Sequence, residues 1–131
     1  MSTTHRTNIQ IRFNDIDLLG HANNATIHEY FDIGRLGFLK QTIGDTLFEG
    51  ALTLVIVSVK TDFANSILLD EDIELITQLK NIGTKSLTLQ QQIFTSQAKQ
   101  IKATCESVMV CIHQMSKESV IIPENWRRLI E

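Results

Sequence analysis

RFNDIDLLGHANNATIHEYFDIGR, residues 12–35, is the stretch on which the reading of this chain turns. Two acids, Asp15 and Asp17, lead into a short polar loop holding Gly20, His21, Asn23 and Asn24, and a helical pattern follows. Glycine and asparagine are residues of tight bends. The segment therefore predicts a strand end, a turn and a helix start in immediate succession. A helix start carries backbone N–H groups without intrahelical partners and a partial positive charge. A carboxylate delivered beside such donors can attack a carbonyl carbon, or activate water against it, while the donors stabilise the oxygen. On this reading the loop is a hydrolytic site.

Upstream, residues 8–13 alternate, with Ile9, Ile11 and Phe13 on one face, which predicts a first strand with one face buried. From about Thr26 the period becomes helical, and Ile27, Tyr30, Phe31, Phe38 and Leu39 form one stripe. Gly34 shares that stripe and predicts a close approach to a sheet, with Gly44 as the C-terminal stop. The helix should run roughly 16 residues, about 24 Å. Glu29, Asp32 and Arg35 fall on or near its solvated face, where Arg35 could anchor the loop acids. Leu52–Phe63 is β-branched and apolar at its start and reads as a central strand. Residues 73–82, 85–95 and 101–115 follow as strands, and Pro123 opens a short terminal helix. Short links imply antiparallel neighbours, and one helical stripe over one sheet face makes a two-layer α+β domain.

Composition bounds what this domain can do. At 131 residues the chain is expected to form one domain, 1–131, large enough to bury its own core. A net charge of −3 and few aromatic residues offer no surface for nucleic acid. No segment reaches the roughly 18 apolar residues of a membrane span, and the first residues lack a secretory apolar run. Cys105 and Cys111, on one strand, would stand about 20 Å apart, too far for a disulfide. Two reduced, packed thiols and a cytoplasmic protein are the expectation.

Other readings of the loop are weaker. Asp15, Asp17 and Gly20 begin like a calcium loop, but Leu19 occupies the fifth ligand position and Thr26 the place of the bidentate glutamate. Asp17, His21 and His28 define no metal geometry, so no metal is expected. There is no Gly-x-Ser-x-Gly elbow. Asp15 reads as a turn-stabilising acid, with a paired-carboxylate mechanism as its alternative. On spacing alone Asp17 reads first as an acid capping a turn or helix start, His21 orients the site or fills the loop, and Asn23 and Asn24 serve cap and turn.

The string RFNDIDLLGHANN, followed by a helix carrying Arg35, resembles the signature of hotdog-fold thioesterases, in the branch of 4-hydroxybenzoyl-CoA thioesterase-like acyl-CoA thioesterases. The element order and the ending IIPENWRRLI extend the resemblance over nearly the whole chain. It implies a five-stranded antiparallel sheet wrapped around one long helix. It makes Asp17 the catalytic carboxylate and the backbone N–H of Asn24 the oxyanion donor. His21 matches a histidine used by related acyl-ACP thioesterases, although Leu19 replaces their asparagine and speaks against that branch. Ile27 stands where many relatives have tyrosine, and Lys85 is what persists of a basic run that in some aromatic-CoA enzymes holds the nucleotide phosphates. The implied partners are an acyl-CoA substrate and further copies of the chain, as a homodimer joined sheet edge to sheet edge or a homotetramer, with no cofactor. Two rivals remain on the same fold: a hydratase or dehydratase, for which only His21 offers a second acid/base group, and a non-catalytic acyl-CoA binder.

Overall fold

The computed structural model describes residues 3–44 and 46–131. In chain order these form β1 (Thr4–Ile9), one 3-10 turn (Phe13–Asp15), α1 (Asn24–Thr42), α2 (Thr46–Glu49), β2 (Leu52–Phe63), β3 (Ile73–Ile82), β4 (Ser86–Thr95), β5 (Ile101–His113) and α3 (Glu124–Ile130). The strands make one antiparallel sheet in the order β1-β3-β4-β5-β2, with α1 laid against β1, β3 and β4. This is the α+β arrangement expected from the sequence. None of the described helices is long and apolar enough to cross a membrane.

α1 begins at Asn24 because the side chain of Asn23 accepts the N–H of Ala25 at 2.8 Å, satisfying one of the free donors of the first turn. Its predicted stripe is the buried one: Ile27, Tyr30, Phe31, Phe38 and Leu39 all face the sheet. They divide between two apolar clusters. Phe38 and Leu39 join Leu54, Leu87, Leu89, Met109 and Trp126, whereas Ile27, Tyr30 and Phe31 join Ile67, Ile73, Leu75 and Ile93. Between the clusters lie Arg35, Thr77 and Gln91, buried and joined to one another. Gln91 Nε2 donates to the Phe31 carbonyl at 3.0 Å and to Thr77 Oγ1 at 2.9 Å, while its Oε1 accepts from Arg35 Nη1 at 3.0 Å. A buried amide satisfied at both ends costs little and fixes where the helix sits along the sheet.

Three expectations are corrected. The first strand ends at Ile9, and Phe13 is exposed, because the Asp15 carboxylate takes the Arg12 N–H at 2.9 Å and bends the chain out of the extended state. β2 is an edge strand and not a central one, and Ile56, Val57 and Val59 of its apolar run stand exposed. Arg35 is 4% exposed and does not reach the loop acids; it pairs with Asp32, one turn back, and with Gln91. The two thiols, Cys105 and Cys111, are free and buried, as expected.

Gly34 sits at the middle of this seam. A β-carbon there would stand 2.7 Å from Gln91 Nε2 and 2.9 Å from Thr77 Oγ1, and would also strike Leu75. Gly34→Ala should therefore destabilise the protein by about 1–3 kcal/mol through overpacking, despite the gain in helix propensity. Gly37→Ala, whose nearest obstacle is the movable imidazole of His5, should cost less. Urea denaturation of the two variants checks the order.

Candidate active site

The loop is built on Asp15. Its buried carboxylate accepts the Arg12 N–H and the Tyr30 hydroxyl at Oδ2, at 2.9 and 2.7 Å, and Arg12 Nη2 at Oδ1, at 3.0 Å. Its own carbonyl accepts the Asn23 N–H at 3.1 Å. One acid thus ties the turn before the loop, the residue capping α1 and the second turn of that helix. Burial by itself would push the Asp15 carboxyl up, but the Arg12 N–H, the Tyr30 hydroxyl and the Arg12 guanidinium together hold it below the ordinary carboxylate range. The Tyr30 hydroxyl moves the other way, raised by burial and by donating to that carboxylate.

Beyond Asp15 the chain closes into a small hairpin. Ile16 pairs with Ala22, the Asp17 N–H donates to the His21 carbonyl at 3.1 Å, and the Gly20 N–H donates to the Asp17 carbonyl at 3.0 Å. Gly20 has φ +89°, a left-handed conformation that costs glycine least. The Asp17 side chain, half-buried, accepts the Leu19 N–H on Oδ1 at 2.9 Å, and among the described residues its other oxygen has no donor. The Asn24 N–H likewise finds no acceptor among the described residues.

A cleft of about 300 Å³ opens beside this hairpin. His21, Asn24 and Ile27 form one wall; Phe63, Asn65 and Ser66, where the chain leaves β2, form the other. The ring of Phe63 meets His28 edge to face, with centroids 5.9 Å apart. The two walls are tied by the Ala22 N–H, which donates to the Ile67 carbonyl at 2.8 Å. Of the four site residues expected from the sequence, His21 and Asn24 meet on the cleft. Asp17 belongs to the same hairpin without lining the cleft. Lys85 lies apart, exposed between β3 and β4, at the end of β4 away from the cleft. The wall at Phe63, Asn65 and Ser66 was not foreseen, because those residues read only as the end of a strand and a turn. Among the described residues no three His, Cys, Asp or Glu side chains are grouped so as to hold a metal ion.

The model of one protein family, the thioesterase-like superfamily, matches residues 11–129. The chain belongs to that superfamily. Its membership accounts for the fold, since solved thioesterase structures superpose along almost the full chain. A predicted thioesterase from Bacillus stearothermophilus is 26% identical with a TM-score of 0.87, over 98% of this chain and 94% of that one. A thioesterase from Thermus thermophilus, solved as a complex with coenzyme A and Zn, is 26% identical with a TM-score of 0.84, over 95% of this chain and 90% of that one. In sequence, the uncharacterised protein YsmA of Bacillus subtilis (strain 168) is 27% identical over 112 residues, 85% of this chain and 72% of its own. The sheet and helix are thus the hotdog fold of thioesterases.

The Asp15 cluster sets an acid limit on this thioesterase fold. A carboxyl held below its unfolded value, about 3.9 for aspartate, stabilises above that value and stops doing so as pH falls toward its folded one. Glu71 is shifted in the same direction and adds to the same limb. Wild-type stability should fall as pH drops below about 5. Tyr30→Phe, which strips the carboxylate of one donor, should cost about 1.5–3 kcal/mol at neutral pH. Asp15→Asn should destabilise most near pH 7, with its deficit shrinking below about pH 4. Urea unfolding from pH 3 to 7 measures both.

Proposed function

We propose that this thioesterase-family protein, as one domain over 1–131, hydrolyses acyl-CoA thioesters to the free acid and coenzyme A. The observation that carries the reading is the juxtaposition at the start of α1. The Asp17 carboxylate, with one oxygen unpartnered, sits in a hairpin closed against a helix whose Asn24 N–H is free, beside a cleft. Asp17 serves as nucleophile or as general base toward water, and the Asn24 N–H receives the oxyanion. His21, on the cleft wall, orients the thioester. The leaving thiol has a pKa near 8.5, so no strong general acid is required, which suits a site with so few groups. The coenzyme A bound to the Thermus thermophilus thioesterase supports the choice of substrate class.

The same reading places the enzyme in a homo-oligomer. β2 is an open edge of twelve residues with exposed Ile56, Val57 and Val59, a surface that another copy would cover. Lys85, remote from the cleft of its own chain, then serves the phosphates of a substrate held by a partner.

Thiol release from a panel of acyl-CoAs tests the proposal. Wild type should release thiol, and Asp17→Asn should lower kcat by at least about a hundredfold while leaving the urea midpoint near wild type. An unchanged rate in the variant removes Asp17 from the chemistry. In a single turnover in heavy-oxygen water, label entering Asp17 marks the anhydride route.

A further inference from the structure

β2 and β3 are not neighbours in the sheet, so the chain between them crosses the ends of β5 and β4. That crossing carries the second wall of the cleft, which is bonded chiefly by Lys102, with the Asn65 side-chain amide also donating to the Ile101 carbonyl at 2.9 Å. The carbonyl of Lys102, the second residue of β5, accepts the N–H groups of Ala64 at 2.9 Å and Asn65 at 3.1 Å. Its ammonium donates to the Ser66 carbonyl at 2.7 Å and pairs with Glu71 Oε2 at 3.0 Å, and its side chain is only 5% exposed. Three consecutive wall residues therefore bond Lys102: Ala64 and Asn65 through its carbonyl and Ser66 through its ammonium. The segment then plunges inward at Ile67, fully buried, whose carbonyl is the one that grips Ala22 across the cleft.

Removing an ammonium from water costs several kcal/mol unless its donors are met, and a neutral side chain could fill the same space without that cost. Glu71 is kept ionised for it. Burial raises that carboxyl, but the Leu68 N–H and Lys102 hold it below its ordinary range. A buried charge that ends on a loop carbonyl fixes direction as well as distance, which apolar packing would not.

We propose that Lys102 is a positioning residue for the substrate: by gripping the Ser66 carbonyl and Glu71 it sets the 64–66 wall against His21 and Asn24, and so sets the width of the slot that takes the acyl thioester. This rests on the acyl-CoA reading above. The Lys102 side chain bonds Ser66 and Glu71 and none of Asp17, His21 and Asn24, so its loss should weaken ground state and transition state together, raising KM and sparing kcat.

Lys102→Met should raise KM for acyl-CoA by about tenfold or more with kcat within about threefold of wild type, and Lys102→Arg should recover most of the loss. A merely structural role would do the reverse, lowering apparent kcat through the folded fraction and leaving KM alone; that result overturns the proposal. Should Lys102→Met fail to fold, Glu71→Gln keeps the lysine and removes its counter-charge, and should raise KM by roughly threefold at constant kcat. An unchanged KM there overturns it. If wild type releases no thiol from any acyl-CoA, the hydrolytic reading fails by itself. Calorimetric titration of coenzyme A into wild type and Lys102→Met then decides: weaker binding by the variant supports the positioning role, and equal binding, or none to either, overturns it.

Discussion

A single buried carboxylate governs the geometry of the loop that leads into α1. Asp15 collects a backbone N–H, a guanidinium and a phenol, and offers its own carbonyl to the residue that caps α1. Each partner alone would leave the loop free to pivot. Together they hold the hairpin 16–22 in fixed relation to the helix axis. The adjacent acid, Asp17, shares none of these partners: Asp15 takes the Arg12 and Tyr30 donors, and Asp17 keeps an oxygen unpaired among the described residues. Two like residues separated by one position are thus given opposite environments, one saturated with donors and one open.

The helix that receives the hairpin is itself located by polar contacts. Apolar side chains drive α1 onto the sheet, but apolar packing is tolerant of small slides. Gln91, reaching from β4 to the Phe31 carbonyl, and the close approach at Gly34 remove that tolerance. A slip of α1 by one residue, about 1.5 Å, would break the amide's bonds and press a side chain into Leu75. The start of the helix, and with it the Asn24 N–H, inherits this precision from a contact ten residues further along.

What was legible in the sequence follows from the range of the forces involved. Period and punctuation are local, so α1, the four long strands and the terminal helix could be read from Ile27, Phe31 and Phe38, from the alternations around Leu87 and Leu89, and from Pro123. Gly34 announced a close contact because nothing else explains glycine on an apolar helical stripe. The first strand ends earlier than its alternation suggests because the pattern at Ile11 and Phe13 is outweighed by one carboxylate, whose pull on Arg12 has no periodic signature. The burial of Arg35 has no local sign because its partner Gln91 lies 56 positions away. The far wall of the cleft was illegible for the same reason. Nothing in the residues around Ser66 says that the chain there crosses two strand ends and is caught by a lysine from β5.

The apolar run of β2 teaches a different lesson. Such a run reads as a buried strand, and nothing local distinguishes a central strand from an edge. In one chain the run lies at an edge, its residues Ile56 and Val59 exposed, opposite β5 residues that are themselves buried or half-buried. An unpaired edge of this length that carries apolar side chains invites another strand. The hairpin beside the cleft shows the same excess, since Leu18 and Leu19 point into solvent next to the half-buried Asp17. Water-exposed leucines at the tip of a proposed catalytic hairpin are costly for a lone subunit and natural for one that meets a copy of itself there. Under the proposed function the chemistry and the assembly then have one cause: the residues that would exclude water from the thioester are those that a second chain would have to bury.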